Sequence, residues 1–377
     1  MKIGFCKEIK ENEKRTVCVP DIIEKLKKIG VETFVENDIG KNLGINNQKY
    51  IESGACIIES KKKIFEISDI ILKINRPLNE EINLIKENQI IISLINQKLE
   101  NLKQDINKLI IKKTTYFALE LLPRISRAQS MDVLSSQANL LGYKSVILAA
   151  NKINRMFPMM TTSAGNIKPI KILIIGAGVA GLQAIATAKR LGALVFSYDV
   201  RKEVKEQIES LGAKFLNINT EEKDKSKDGY AKEINKEEIE KIQEKILEFS
   251  REIDIIITTA NIPWKKAPVL IKKEIFNKMK PNSLIIDLVS EFGGNVEGVE
   301  KDKELIINEI QLLSPTNLLS EIAFDASSLF SKNVYNFLEL ILNKKEKQIE
   351  INFEDEILEK SCLLYKGNIK NNILMNI

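Results

Sequence analysis

Two groups of residues in this chain of 377 have the types and spacing to do chemistry. The first is Gly176, Gly178 and Gly181, a complete G-x-G-x-x-G set. It follows an apolar run, Lys171 to Ile175, and precedes a stretch without Gly or Pro, Leu182 to Leu191. Gly176 allows a tight turn from strand to helix. Gly178 has no Cβ, so the backbone can approach a pyrophosphate, and Gly181 lets the helix pack close to the strand. The amides around Val179 and Ala180 then open a helix and face phosphate charge. Asp199 lies 18 residues after Gly181 and ends a second apolar run. There it can accept hydrogen bonds from the adenosine ribose and repel a 2′-phosphate, which favours NAD(H) over NADP(H). Arg201 pulls the other way, because an arginine can pair with a 2′-phosphate. The competing reading is a glycine-rich turn that has lost its ligand.

The second group is Arg124, Gln129, Asp132 and Ser135. The last three are spaced by three, so those in helical turns share a face, and Arg124 can reach back to Asp132 as an ion pair. Spacing alone favours a capping cluster, since an acid near a helix start is stabilising whatever the function.

What the chain lacks is as informative. It has no histidine, which excludes a Ser-His-Asp triad, a Cys-His pair and a His-containing zinc site. Cys6, Cys18, Cys56 and Cys362 are far apart and form no C-x-x-C, so reduced thiols and no metal site are expected. The charge of +5 comes from 57 basic and 52 acidic residues interleaved along the chain, which leaves no footprint for nucleic acid. The charged start has no apolar h-region, so no signal peptide is expected. A strand, turn and helix explain the weakly polar run Ile172 to Ala188 better than a membrane span does, so a soluble chain without direct membrane insertion is expected.

Elements must carry these groups. Lys2 to Cys6, Val31 to Glu36, Asp69 to Ile74 and Gln89 to Leu94 read as strands, with Asp21 capping a helix that Gly30 closes. One long helix is expected from about Met131 to Met156, with Ser130 as its N-cap. Lys171 to Ile175, Leu194 to Asp199, Asp254 to Thr259 and Ser283 to Asp287 read as parallel strands of a second block. Thr220 to Lys245 reads as a solvated loop and charged helix. The tail is helical from Asp325 to Leu342, with a strand pair near residues 347 to 366. Alternating strands and helices argue for α/β domains with parallel sheets. The expected division is 1–130 with 320–377, and 131–319. Asp287 either faces a cofactor or caps a turn.

The stretch from Gly176 to Phe215 resembles the alanine dehydrogenase and pyridine nucleotide transhydrogenase family. PRISRAQSMDVLSSQ (123–137), FPMMTTSAG (157–165), GYAK (229–232), TTANIPWKKAPVLI (258–271) and IDLVSEFGGN (286–295) are similar to the NAD(H)-binding component of the transhydrogenase branch. The resemblance covers nearly the whole chain. It implies two Rossmann-like, doubly wound domains joined by long helices, in a homodimer. NAD(H) would bind this chain, with Val200, Tyr230, Thr259 and Ala260 added to the residues above, and Tyr230 on a loop that closes over nucleotide. Arg124 and Ser135 would hold the nicotinamide carboxamide, Asp132 would orient Arg124, and Gln129 would reach toward the partner. NADP(H) would sit on a partner component, with a membrane-embedded component coupling hydride transfer to proton movement. The chain would then be a separate alpha-type subunit, cytoplasmic and peripheral at the inner membrane through those partners.

The dehydrogenase branch uses a His and a Lys as acid/base groups. LKINRP (72–77) puts Asn75 where the lysine would stand, and IISLINQ (91–97) offers no histidine. Arg15 matches the substrate-carboxylate arginine but cannot move protons alone. An alanine dehydrogenase-like oxidoreductase and a non-catalytic NAD-binding module are therefore the alternatives. Glu321, in a segment that often carries Arg, and Trp264, where glycine is common, depart from the family pattern.

Overall fold

The computed structural model describes residues 1–95, 102–218 and 235–371. The chain divides into two units, Met1–Gln137 with Leu319–Ile377, and Ala138–Leu318. The first division falls inside a helix, Val133–Lys152, rather than at its start.

The first unit is built on an eight-stranded sheet. Its order is Asn368–Ile369, Cys362–Tyr365, Thr115–Ala118, Ile90–Ser93, Ile70–Leu72, Lys2–Phe5, Glu32–Glu36 and Cys56–Ile58. The last six are parallel, and the C-terminal pair joins antiparallel at the edge. Numbered along the chain, the parallel strands run 3-2-1-4-5-6, the doubly wound order. Ile3, Phe5, Val35, Leu72, Ile92 and Phe117 share a core with Phe330, Val334 and Phe337 of the returning helix Ala323–Leu338. Phe117 meets Phe337 edge-on at 5.4 Å. Two serines fix the return: Ser327 Oγ accepts from the Thr16 amide at 2.9 Å, and Ser331 Oγ donates to the Val17 carbonyl at 2.8 Å.

The second unit repeats the plan. Its seven-stranded sheet is ordered Lys214–Phe215, Leu194–Tyr198, Lys171–Ile175, Ile255–Thr258, Leu284–Asp287, Ile310–Leu313 and Glu304–Ile307. Only the last is antiparallel to its neighbour. Helices cover both faces of such a sheet, so its central strands, Lys171–Ile175, Ile255–Thr258 and Leu284–Asp287, are mostly apolar rather than alternating. Pleating still sorts the side chains. Ile172, Ile174, Ile255 and Ile257 enter one core, and Leu173, Ile175, Ile256 and Ile285 enter the other.

Several boundaries differ from expectation. Ser130 caps nothing, because Ser126–Met131 is already a 3-10 turn and its Ser130 carbonyl accepts from Asn333 and Asn336, both at 2.8 Å. Asp132 caps the long helix instead, and the helix stops at Lys152, short of Met156. Asp21 sits in the first turn of a helix that Pro20 opens, where proline's missing N–H costs nothing. The tail helix runs Ala323–Leu338 rather than from Asp325 to Leu342. The helix Lys236–Ser250, with Asn235 and Glu238 forming a capping box, is the described part of the charged stretch.

The first unit also buries charge. Lys73 is fully buried, 2.9 Å from Glu81 and 3.6 Å from Glu8. Burial works against its ammonium, but the two carboxylates outweigh burial and raise its pKa above the ordinary value. Removing one member of such a set strands the others. Lys73→Ala is expected to cost about 3–5 kcal/mol, measured by urea unfolding. Lys73→Met combined with Glu8→Gln and Glu81→Gln should recover most of that loss.

Candidate functional site

The site of the second unit follows from its strand order. Lys171–Ile175 and Ile255–Thr258 are neighbours whose connections leave in opposite directions, and a crevice opens beyond their carboxyl ends at such a point. Gly176 follows the first strand with φ +95°, and Thr259 follows the second. The Gly176 amide donates to the Tyr198 carbonyl at 2.8 Å.

The three glycines are needed for different reasons. A Cβ at Gly176 would lie 2.7 Å from Thr259 Oγ1 and 2.9 Å from the Ala260 nitrogen. A Cβ at Gly181 would lie 1.8 Å from the Gly176 carbonyl oxygen, far inside van der Waals contact. Gly178 is different: it is exposed, and a Cβ there would meet no atom of the protein. It is the N-cap of the helix Val179–Arg190, and its end has no side-chain cap. The first amides of a helix have no intrahelical acceptor, so this end presents donors and a positive dipole to open space beside Gly178. That cradle fits a dinucleotide pyrophosphate. The helix is held in place from behind as well, since a Cβ at Gly142 would lie 2.1 Å from the Ala180 carbonyl.

Asp199 is buried just beyond Tyr198. Its Oδ2 accepts from the Ala177 amide at 2.7 Å, which ties the acid to the glycine turn. Arg201 grips the same carboxylate through Nε and Nη2, both at 2.9 Å. Val200 lies between them, partly buried.

Thr259 and Ala260 line the other strand end. Thr259 Oγ1 donates to the Gly176 carbonyl at 2.9 Å. Asn295, fully buried, accepts from the Ala260 amide at 3.1 Å and donates to the carbonyls of Ala260 and Pro268 at 2.9 and 2.8 Å. Asp287 in turn accepts from the amides of Val289, Asn295 and Val296 at 3.0, 2.7 and 3.0 Å. Asp287 is thus a turn cap. Burial pushes its pKa up, against these donors. Trp264 has φ +64°. A left-handed backbone costs a non-glycine residue about 1–2 kcal/mol, which is the physical reason glycine suits that position. Tyr230 lies outside the described residues.

The other candidates belong to the first unit. Arg124 and Gln129 are exposed, and Asp132 and Ser135 are half-buried. Asp132 has an extended backbone between the 3-10 turn and the helix, so Gln129 and Ser135 do not share one helical face. The Asp132 carboxylate accepts from the Ser135 amide at 2.9 Å and from its hydroxyl at 2.6 Å. The segment is anchored by residues that sequence reasoning passed over. Arg127 forks onto Asp355 at 2.7 and 2.6 Å, and Ser136 donates to Asn333 at 2.7 Å. Glu321 is exposed on the 3-10 turn Leu318–Ile322.

Arg15 is committed to the fold. Its Nε and Nη2 bind the Glu13 carboxylate at 2.8 and 2.6 Å, and Nη1 binds Gln137 at 2.9 Å. Asn75 and Ser320 also donate to Glu13, at 3.3 and 3.0 Å. Burial pushes the Glu13 carboxyl up, but Arg15 outweighs it and holds the pKa down to about 2. No cluster of His, Cys, Asp and Glu among the described residues can hold a metal ion.

The glycines separate fold from ligand. Gly181→Ala should lower the melting temperature and abolish NADH binding, because its Cβ overlaps backbone. Gly178→Ala should leave the melting temperature unchanged and raise the NADH dissociation constant about tenfold or more, read by nicotinamide fluorescence.

Comparison with known proteins agrees with this geometry. Residues 4–141 match the model for the alanine dehydrogenase/PNT N-terminal domain, and residues 145–372 the model for the C-terminal domain. The first part of NAD(P) transhydrogenase subunit alpha of Rhodospirillum rubrum is 42% identical over 376 residues, 98% of this chain and 97% of that one. NAD(P) transhydrogenase subunit alpha of Haemophilus influenzae is 42% identical over 368 residues, 97% of this chain and 71% of that one. A crystal structure of transhydrogenase from Sinorhizobium meliloti superimposes with TM-score 0.84 at 36% identity, covering 99% of this chain and 100% of that one. A complete glycine turn, two doubly wound sheets and these likenesses, spread over both halves, lead to one conclusion: the chain belongs to the alanine dehydrogenase/PNT family.

Proposed function

We propose that this chain is the NAD(H)-binding subunit of a proton-translocating transhydrogenase, working as a homodimer with a membrane-embedded component and an NADP(H)-binding component. The supporting observation is the joint state of its two sites. The glycine turn is open and uncapped, whereas Arg15, which matches the substrate-carboxylate arginine of the dehydrogenase branch, is clamped by Glu13. No histidine exists to move a proton.

When bound, NAD(H) supplies the hydride exchanged with NADP(H) on the partner. The chain's own residues bind and orient. The helix end at Gly178 takes the pyrophosphate, and Asp199 takes the adenosine ribose. Thr259 and Ala260 line the nicotinamide side, on a loop that Asn295 keeps rigid. Tyr230 is among the residues that contact the nucleotide. Arg124 and Ser135 hold the carboxamide, and Asp132 fixes the Ser135 hydroxyl. Gln129, exposed, extends toward the partner's nucleotide. Transfer between two nicotinamides moves no proton at the reacting carbons. It requires two rings at near-attack distance and the exclusion of water, so a site without a titrating group suffices. No helix among the described residues is long and apolar enough to cross a membrane, in keeping with membrane attachment through partners.

The test is reconstitution. The chain alone should bind NADH and show little turnover. Adding an NADP(H)-binding component should restore hydride exchange from NADH to an NADP+ analogue. Gln129→Ala should slow that exchange about tenfold or more while leaving the NADH dissociation constant within about twofold. NADH binding without exchange in the mixture would identify a binding module instead. NADH formation from alanine by the chain alone would identify an amino-acid dehydrogenase.

A further inference from the structure

Asp199 and Arg201 hold each other at the carboxyl end of the strand Leu194–Tyr198. Oδ1 accepts from the Arg201 amide and Nε, both at 2.9 Å. Oδ2 accepts from Arg201 Nη2 at 2.9 Å and from the Ala177 amide at 2.7 Å. A carboxylate offers about four lone-pair positions, and each of these carries a donor. The side chains are only 6% and 19% exposed, so water screens the pair weakly. A guanidinium forked on a carboxylate is also the strongest geometry an arginine finds.

This arrangement has two effects. A ribose hydroxyl cannot bond to Asp199 without displacing a donor of Arg201. And the guanidinium, the group suited to a 2′-phosphate, is held by the acid.

We propose that Asp199 and Arg201 form a latch at the adenosine-ribose subsite, in which the acid repels a 2′-phosphate and also withholds the arginine that would bind one. The inference rests on the NAD(H) reading and names the determinant of its nucleotide choice. The adenosine ribose of NAD(H) offers two hydroxyl donors, which can replace Nε and Nη2 of Arg201 and open the latch. A 2′-phosphate dianion has no proton to offer the carboxylate and leaves the latch shut. The Ala177 amide stays on Oδ2 in both cases and keeps the acid in register with the glycine turn. Lys202 and Lys205 follow in the chain, so the test must separate Arg201 from its neighbours.

The full chain and three variants, Asp199→Asn, Arg201→Leu and the double variant, are titrated with NADH and NADPH by fluorescence. Asparagine still accepts from Ala177 but releases the guanidinium. Asp199→Asn should tighten NADPH binding about tenfold or more and weaken NADH binding. The double variant should bind NADPH as weakly as the native chain. Arg201→Leu alone should tighten NADH about threefold, with no donor left to displace, and leave NADPH weak. An NADPH gain that survives in the double variant overturns the latch, as does weaker NADH binding in Arg201→Leu. Should Asp199→Asn fail to fold, Arg201→Leu decides alone, because it keeps the Asp199–Ala177 bond. A native chain that binds neither nucleotide strikes the NAD(H) reading rather than the latch.

Discussion

The approach of Gly181 to the Gly176 carbonyl is the contact on which the second unit turns. No side chain of any size fits there, since even a Cβ would lie 1.8 Å from that oxygen. The contact seats the helix Val179–Arg190 against the strand end and aims its uncapped amides into open space. Each neighbouring feature protects that aim. Gly142 lets another helix pass behind Ala180. Asp199 holds the Ala177 amide, and Thr259 holds the Gly176 carbonyl. A helix dipole is a weak anion site when its direction wanders. Here the direction is fixed by two close backbone approaches and two side-chain hydrogen bonds.

The first unit applies the opposite rule to its charges. Where the glycine turn leaves donors unused, the Arg15 and Lys73 networks consume theirs internally. Glu13 stays ionised because Arg15 forks onto it, and Lys73 stays ionised because two carboxylates flank it. Glu13 and Lys73, closed in this way, resist protonation change near neutral pH, whereas burial pushes the carboxyl of Glu8, beside Lys73, up. They are suited to holding shape and unsuited to passing protons. That division is in keeping with the proposed hydride transfer, in which no proton moves at the reacting carbons.

Much of the fold is legible in the sequence because its cause is local. Buried parallel strands announce themselves as β-branched runs, and Lys171–Ile175 agrees with that reading to the residue. The glycine turn and Asp199 are legible because their spacing carries a stereochemical requirement. Residues whose partners are distant in sequence are not. Arg127 meets Asp355 across 228 positions, and Asn295 meets Ala260 across 35. Neither pairing leaves a periodic trace. Asn295 has one faint signal, a buried-type polar residue after Gly293–Gly294 at the end of a strand–turn segment. The helix start is obscured by a local competition: Ser130 and Asp132 are both good caps, and the 3-10 turn Ser126–Met131 consumes the first. The antiparallel edge strand Glu304–Ile307 is harder to read, because its apolar run Leu305–Ile307 stands largely at the surface, Ile306 above all, and its antiparallel pairing leaves no local trace.

The loops at the strand ends explain how such a site can be rigid before any ligand arrives. Asp287 gathers three amides from the turn that follows it, and one of them belongs to Asn295. Asn295 then spends its side chain on the loop that carries Ala260. The chain of contacts therefore runs from a strand end, through a buried acid and a buried amide, to the residues beside Gly176. Asp287 and Asn295 are fully buried, where an unmade bond is costly. Such a network tolerates one arrangement and penalises the others. Preorganisation of this kind lowers the ordering cost of binding, and it lets Trp264 keep a left-handed backbone that a looser loop would relax.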